Sequence, residues 1–319
     1  MRAVFLREQG DYDKLTYGEL PEPAWGPDEV LVRVRAAGMN RRDIYERTGS
    51  HGMRIQGLQV PGLDLAGEVV EVGGYVAHTG RFKKGDSVLG VGVGGTYAEY
   101  ARGHMDRVHL MPEWMSFEEG AAIPTVYAAA WRALVVRGRI ALGEDVLVMA
   151  AGSGVGSAAI QIAKYAGCRV LTTAGSDAKL EKATAIGADI GINYRTTPEF
   201  SGAVREYTGG EGVDLVYEHI GQAVFEQCFR SLKRGGTMVT NGNSTGHLVQ
   251  LHLGALWTRE ISLIGSTMHP EQDLPAIMRA VGKKALRGVV DRVFPLKEAA
   301  EAHRVLESDD FFGKLILVP

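Results

Sequence analysis

An α/β fold in two parts is what this sequence predicts: a β-rich module of short strands, then a doubly wound parallel sheet with helices on both faces. Three observations lead there. Over roughly the first 115 residues, short apolar runs are punctuated by Gly26-Pro27, Pro61-Gly62, Gly73-Gly74 and Gly94-Gly95, the cadence of a compact β fold. Beyond Ser116, six short apolar runs alternate mostly with helical stretches, the signature of a parallel sheet with crossover helices. Directly after the first of those runs comes a glycine-rich turn.

The 319 residues suggest two domains. Hydrophobic residues at 45% and charged residues at 23% are ordinary for a globular chain. A formal net charge of −3 with no block of like charge gives no pull towards nucleic acid or an anionic membrane. No stretch is long and apolar enough to span a bilayer, and Arg7 and Glu8 interrupt the opening apolar run before it can form a secretory core. The expected location is the cytoplasm. Cys168 and Cys228 are far apart, so no disulfide framework or zinc knuckle can be read.

In chain order, Val30–Ala36, Leu65–Val72 and Ser87–Gly92 read as strands of the β-rich module. Ser116 caps a helix with Glu118 and Glu119 in its first turn. Ala121 to Val136 continues as helix, broken or restarted at Pro124. The six later strands are Val146–Ala150, Arg169–Thr173, Ile190–Asn193, Val213–Tyr217, Thr237–Thr240 and Ile261–Ile264. Pro295–Leu306 reads as a helix and Lys314–Val318 as a last strand.

The turn Gly152-Ser153-Gly154-Val155-Gly156 joins the first of the six strands to an apolar helix. Glycines at every second residue depart from GxGxxG, but the strand–turn–helix context is that of a Rossmann dinucleotide site. There the backbone must approach a pyrophosphate closely, and the helix start offers free N–H groups. An acid about 20 residues on would hold a ribose 2′-hydroxyl, as in NAD binding. Here that place reads Gly175-Ser176-Asp177-Ala178-Lys179. A hydroxyl and a cation suit a 2′-phosphate, with Ser176 as N-cap and Asp177 facing the helix dipole. NADPH is therefore expected over NADH.

Gly26-Pro27-Asp28-Glu29-Val30, Pro61-Gly62 with Ala66-Gly67-Glu68-Val69, Gly85-Asp86, Tyr97 to Tyr100, Gly187-Ala188-Asp189, Gly235-Gly236 and Phe312-Gly313-Lys314 together resemble the medium-chain dehydrogenase/reductase superfamily along nearly the whole chain. The closest likeness is to the zinc-free quinone oxidoreductase branch, near zinc-type alcohol dehydrogenase-like proteins lacking the zinc lobe. That resemblance implies a GroES-like catalytic domain from 1–117 and 267–319, a Rossmann domain over 118–266, and an active site in the cleft separating them. It implies a homodimer or homotetramer. It also implies that Tyr194 joins Ser176 and Lys179 at the 2′-phosphate, that Thr125 lies near the nicotinamide, and that Asn241-Gly242 lie beside the cofactor. His219, at a strand end, is expected to contact the nucleotide.

Zinc members of the superfamily place a catalytic Cys where this chain has Asn40, and Gly-His-Glu where it has Gly62-Leu63-Asp64. The four-cysteine lobe is also missing. No zinc is expected, since that ion wants Cys, His or carboxylate ligands in a tetrahedral set. The expected reaction is hydride transfer from NADPH to a quinone or conjugated carbonyl, with Asn40 and Tyr45 as donors to the substrate oxygen. Asp43 is read as holding their segment together. An alcohol or aldehyde dehydrogenase, and a dinucleotide-binding protein without turnover, stand as alternatives.

Overall fold

The computed structural model describes residues 1–319 and divides into two compact units, Met1–Val126 with Pro270–Pro319, and Tyr127–His269.

In the first unit the strands are β1 (Arg2–Phe5), β2 (Thr16–Glu19), β3 (Glu29–Gly38), β4 (Asp64–Val72), β5 (Ser87–Val93) and β6 (Tyr100–Leu110). Those of the second are β7 (Asp145–Val148), β8 (Arg169–Ala174), β9 (Ile190–Asn193), β10 (Val213–Glu218), β11 (Leu232–Thr240) and β12 (Ser262–Gly265). β13 (Val290–Pro295) and β14 (Lys314–Val318) return to the first.

Strands β3, β4, β5 and β6 pair antiparallel in sequence, and β6 pairs back onto β3, closing a small barrel. Closure removes free edges from that ring. Its interior is apolar: Val30, Val32, Val34, Leu65, Val69, Val88 and Val108 are buried in one cluster with Leu315 and Leu317. β14 lies beside β3 in the register Ile316↔Gly38 and Leu317↔Ala37. That register sets the first residue of β14 near the end of β3.

The second unit is an all-parallel sheet in the order β12-β11-β10-β7-β8-β9. This is the doubly wound order, with its switch point between β7 and β10. The expected strands stand where the apolar runs placed them. Helix starts obey local chemistry: Ser116, Ser153 and Ser176 each accept a backbone N–H three residues on. Near the C-terminus the expected helix from Pro295 begins later. Pro295 ends β13, a 3₁₀ turn covers Leu296–Glu298, and the α-helix runs Ala299–Ser308. No helix is long and apolar enough to cross a membrane.

Candidate functional site

In the second unit, β7 ends at the glycine-rich turn. Ala150 adopts a positive φ of 49°. Ser153 donates its hydroxyl to Ala150 O at 2.9 Å and accepts from Gly156 N–H at 2.9 Å. The helix Gly154–Tyr165 therefore starts on a capped, tightly folded turn. A Cβ at Gly156 would stand 2.2 Å from Ala150 O, so only glycine fits there. Gly152, Ser153, Gly154, Val155 and Gly156 thus occupy the strand–turn–helix junction that fits a pyrophosphate.

At the tip of β8 the chain turns through Gly175. A Cβ there would lie 2.6 Å from the Tyr194 hydroxyl and 3.3 Å from Arg195 Nε. Ser176 caps the helix Asp177–Ala185 through Lys179 N–H, so Lys179 sits in its first turn. Asp177, the acid nearest this spot in sequence, accepts from Asn193 Nδ2 at 2.7 Å. The structure thus gathers Tyr194 beside Gly175 and Ser176, and adds Arg195. Sequence reasoning missed Arg195, because an arginine after a strand reads as an ordinary loop cation.

The remaining nucleotide-facing candidates line the ends of β10 and β11. His219 donates from Nε2 to Met149 O at 3.0 Å, which bridges the ends of β10 and β7. Asn241 accepts from the Tyr217 hydroxyl at 3.0 Å, and a Cβ on Gly242 would lie 2.3 Å from His219 O. Buried Glu218 accepts from Gly221 N–H at 2.6 Å and Thr240 Oγ1 at 3.0 Å, and also from Ile220 N–H. These bonds brace the switch point, where open α/β sheets take their ligands.

In the first unit, Asn40 caps the helix Arg41–Thr48, and Asp43 Oδ2 accepts from Asn40 N–H at 2.8 Å. Tyr97 donates its hydroxyl to the same oxygen at 2.7 Å. Burial pushes the Asp43 carboxyl up to about 7, against the lowering effect of the Tyr97 and Asn40 hydrogen bonds. Asp43 does hold its segment together.

Asn40 corrects an expectation. Both of its amide hydrogens are engaged, one by Gly38 O at 3.2 Å and one by Asp64 Oδ2 at 3.0 Å. Its carbonyl oxygen accepts from Lys314 Nζ at 2.8 Å. No amide hydrogen is left for a substrate. Thr125 joins this network, donating both its backbone N–H (2.9 Å) and its hydroxyl (2.5 Å) to Asp64 Oδ1.

Tyr45 lies on the same short helix, half-buried, with its ring stacked on His51 at 3.8 Å between centroids. Burial raises its phenol pKa, keeping the group protonated and able to donate. Tyr127, by contrast, is core. Trp257 is 73% exposed on the helix Leu253–Thr258.

The donor set for zinc is poor. No group of three or more His, Cys, Asp or Glu side chains is placed to hold a metal ion. The oxygens of Asn40 and Asp64 accept from Lys314, Asn40 and Thr125.

Comparison with known proteins agrees with this architecture. Residues 26–113 match the alcohol dehydrogenase GroES-like domain, and residues 154–283 match the zinc-binding dehydrogenase family. A quinone oxidoreductase of Sus scrofa is 35% identical over 299 residues, covering 91% of this chain and 89% of the relative. Among solved structures, an NAD-dependent alcohol dehydrogenase superposes with a TM-score of 0.92 at 39% identity, covering 100% of both chains. A mycobacterial protein solved with NADPH superposes with a TM-score of 0.91 at 28% identity, again over 100% of both.

Proposed function

The chain belongs to the medium-chain dehydrogenase/reductase superfamily, in its quinone oxidoreductase-like branch, and from that premise we propose an NADPH-dependent, zinc-independent reductase of quinones or conjugated carbonyls. One observation carries the cofactor choice. Gly175 at the tip of β8 is flanked by the Ser176 hydroxyl, the Tyr194 phenol and the Arg195 guanidinium, while Asp177 is tied to Asn193. A phosphate monoester finds donors and positive charge there; a bare ribose diol finds only Asp177, already bonded to Asn193.

Bound NADPH supplies the hydride. The protein's part is to hold, orient and protonate. N–H groups at the start of the helix Gly154–Tyr165 would hold the pyrophosphate. Ser176, Lys179, Tyr194 and Arg195 hold the 2′-phosphate. His219, Asn241 and Gly242 form the wall at the ends of β10 and β11. Thr125 would lie near the nicotinamide, as the family resemblance implies. Tyr45 donates its hydroxyl hydrogen to the substrate oxygen as charge builds there. Asn40 acts one step back, because its own hydrogens are already bonded. The protein works in the cytoplasm as a homodimer or homotetramer, for which the free edge strand β12 offers a pairing surface.

The test is cofactor oxidation against a panel of quinones, enones and aldehydes, with paired NADPH and NADH titrations and metal analysis. NADPH-dependent reduction, insensitive to chelators, is expected. Alcohol oxidation with NAD⁺ and no preference for the phosphorylated cofactor would favour an alcohol dehydrogenase like the 39% identical one. Binding without turnover on any substrate would sink the enzyme reading.

A further inference from the structure

Asn193 ends β9 in register with Ala174 of β8, and its side chain meets the first residue of the helix Asp177–Ala185. The Asn193 amide has one orientation. Its Nδ2 donates to Asp177 Oδ1 at 2.7 Å, and its Oδ1 accepts from Arg195 N–H at 3.0 Å. A carboxylate only accepts and a backbone N–H only donates, so the reverse placement would break both bonds. The bond to Arg195, two residues on, is that of an Asx turn. The Asn193 carbonyl also accepts from Thr196 and Thr197 N–H, at 3.2 and 2.8 Å. The side chain is thus tied to its own loop, and exposed Asp177 is tied to the side chain.

In a doubly wound dinucleotide fold, the tip of the strand after the glycine-rich unit meets the adenosine ribose, and an acid there takes the 2′-hydroxyl. Asp177 follows the tip of β8 by three residues, but its oxygen already holds an amide from β9. A ribose diol must displace that amide to use the carboxylate. A 2′-phosphate makes no such demand, because a carboxylate offers it no donor. We infer that Asn193 is a positioning residue that sets cofactor specificity: by holding Asp177 on β9 it lowers affinity for NADH and leaves NADPH to the donors around Gly175. Every group in this argument lies in the Tyr127–His269 unit. The inference rests on the cofactor reading above, in that the adenosine ribose lies at the tip of β8.

Asn193→Ser keeps an oxygen for the Arg195 N–H, as serine does in such turns, but ends one atom short of the amide nitrogen. Asp177→Ala removes the acid. The two are made singly and together, and each protein is read by thermal midpoint and by titration with NADPH and with NADH. Asn193→Ser should tighten NADH about tenfold, as for one charge-assisted hydrogen bond that no longer has to be broken, without tightening NADPH. Loosened folding alone does not raise affinity for one cofactor. The gain should vanish in the double variant, because it runs through Asp177. Asp177→Ala alone should leave NADH affinity at the wild-type value. Unchanged or weaker NADH binding in folded Asn193→Ser, or a gain that survives in the double variant, overturns the inference and leaves the cofactor reading standing. If Asn193→Ser does not fold, Asp177→Ala decides: weaker NADH binding there means that the acid already serves the ribose, and overturns the inference. Equal wild-type affinity for both cofactors, with the NADH gain present, sinks only the NADPH reading. A wild-type protein that binds neither cofactor sinks both.

Discussion

At Tyr45 the phenol stacks on His51 and is held protonated by burial, so replacing it removes little besides a hydrogen-bond donor. Tyr45→Phe should lower the rate of carbonyl reduction by about 10²–10³, the usual loss for one preorganised donor to a developing oxyanion. NADPH affinity should be nearly unchanged. Stopped-flow reduction beside cofactor titration checks this, and wild-type turnover in the variant would make Tyr45 a packing residue. Lys179 and Arg195 carry the cofactor prediction. Each charge-assisted contact to a phosphate is worth about 1.5–3 kcal/mol, so Lys179→Ala or Arg195→Ala should weaken NADPH roughly ten- to a hundredfold. NADH should hardly notice, and added salt should erode the preference. Equal losses for both cofactors would reduce the two cations to surface charges. Lys179 is proposed from its place after Gly175 in the sequence. Arg195 was not legible there, because the approach of its guanidinium to Gly175 is a distance that sequence spacing does not report.

The elements follow from local rules that act within a few residues. The strand–turn–helix at Val146–Tyr165 was readable because glycine, a serine cap and apolar periodicity all agree there. Gly156→Ala tests that agreement, since its new Cβ would meet a backbone oxygen at 2.2 Å and no side chain can give way. It should lower stability and weaken NADPH and NADH together, unlike the cation variants. Ser153→Ala should cost about 1 kcal/mol through loss of the cap, read by urea unfolding. A substitution at Gly156 that leaves cofactor binding intact would mean that the helix start does not face the pyrophosphate. Where local signals compete, the element moved. Pro295 looked like the first residue of a helix, but it closes β13 because its strand pairs with β14 at Val318.

Across the molecule, buried titratable groups in the first unit give the pH dependence of stability. His303 is wholly buried, and neither ring nitrogen has a hydrogen-bond partner. Burial, and then the charge of Arg47, push its pKa down to about 3. Unfolded His303 takes up a proton near its ordinary value, while the folded state does so only near 3. Its contribution is therefore complete above about pH 6.5 and is lost as pH falls towards 3. Asp43 acts in the opposite sense. Its folded pKa near 7 means that its contribution is complete below about pH 4 and is lost as pH rises through 7. In urea titrations from pH 8 to pH 4, His303→Leu should remove a slope of at most about 1.4 kcal/mol per pH unit on the acid side. Asp43→Asn should flatten the loss between pH 5 and 8. Parallel curves for wild type and both variants would show that neither group titrates on unfolding.

By itself the sequence determined what short-range chemistry records. The alternation of apolar runs and helices dictated a parallel sheet, the glycines dictated a turn that a phosphate can approach, and the missing acid at Gly175 pointed to NADPH. Periodicity reports which face of an element is buried and capping reports where it begins. Neither reports which partner a buried polar atom meets. Asn40 was expected to donate to a substrate, but its saturation by Gly38, Asp64 and Lys314 was not legible. Lys314 lies 250 residues from Asp64 and reaches it because β14 pairs with β3 in the register Ile316↔Gly38. That register is set by burying Leu315 and Leu317 in the barrel core. Hydrophobic packing of residues far apart in the chain thus decided which cation faces which carboxylate, a choice that only the tertiary structure makes.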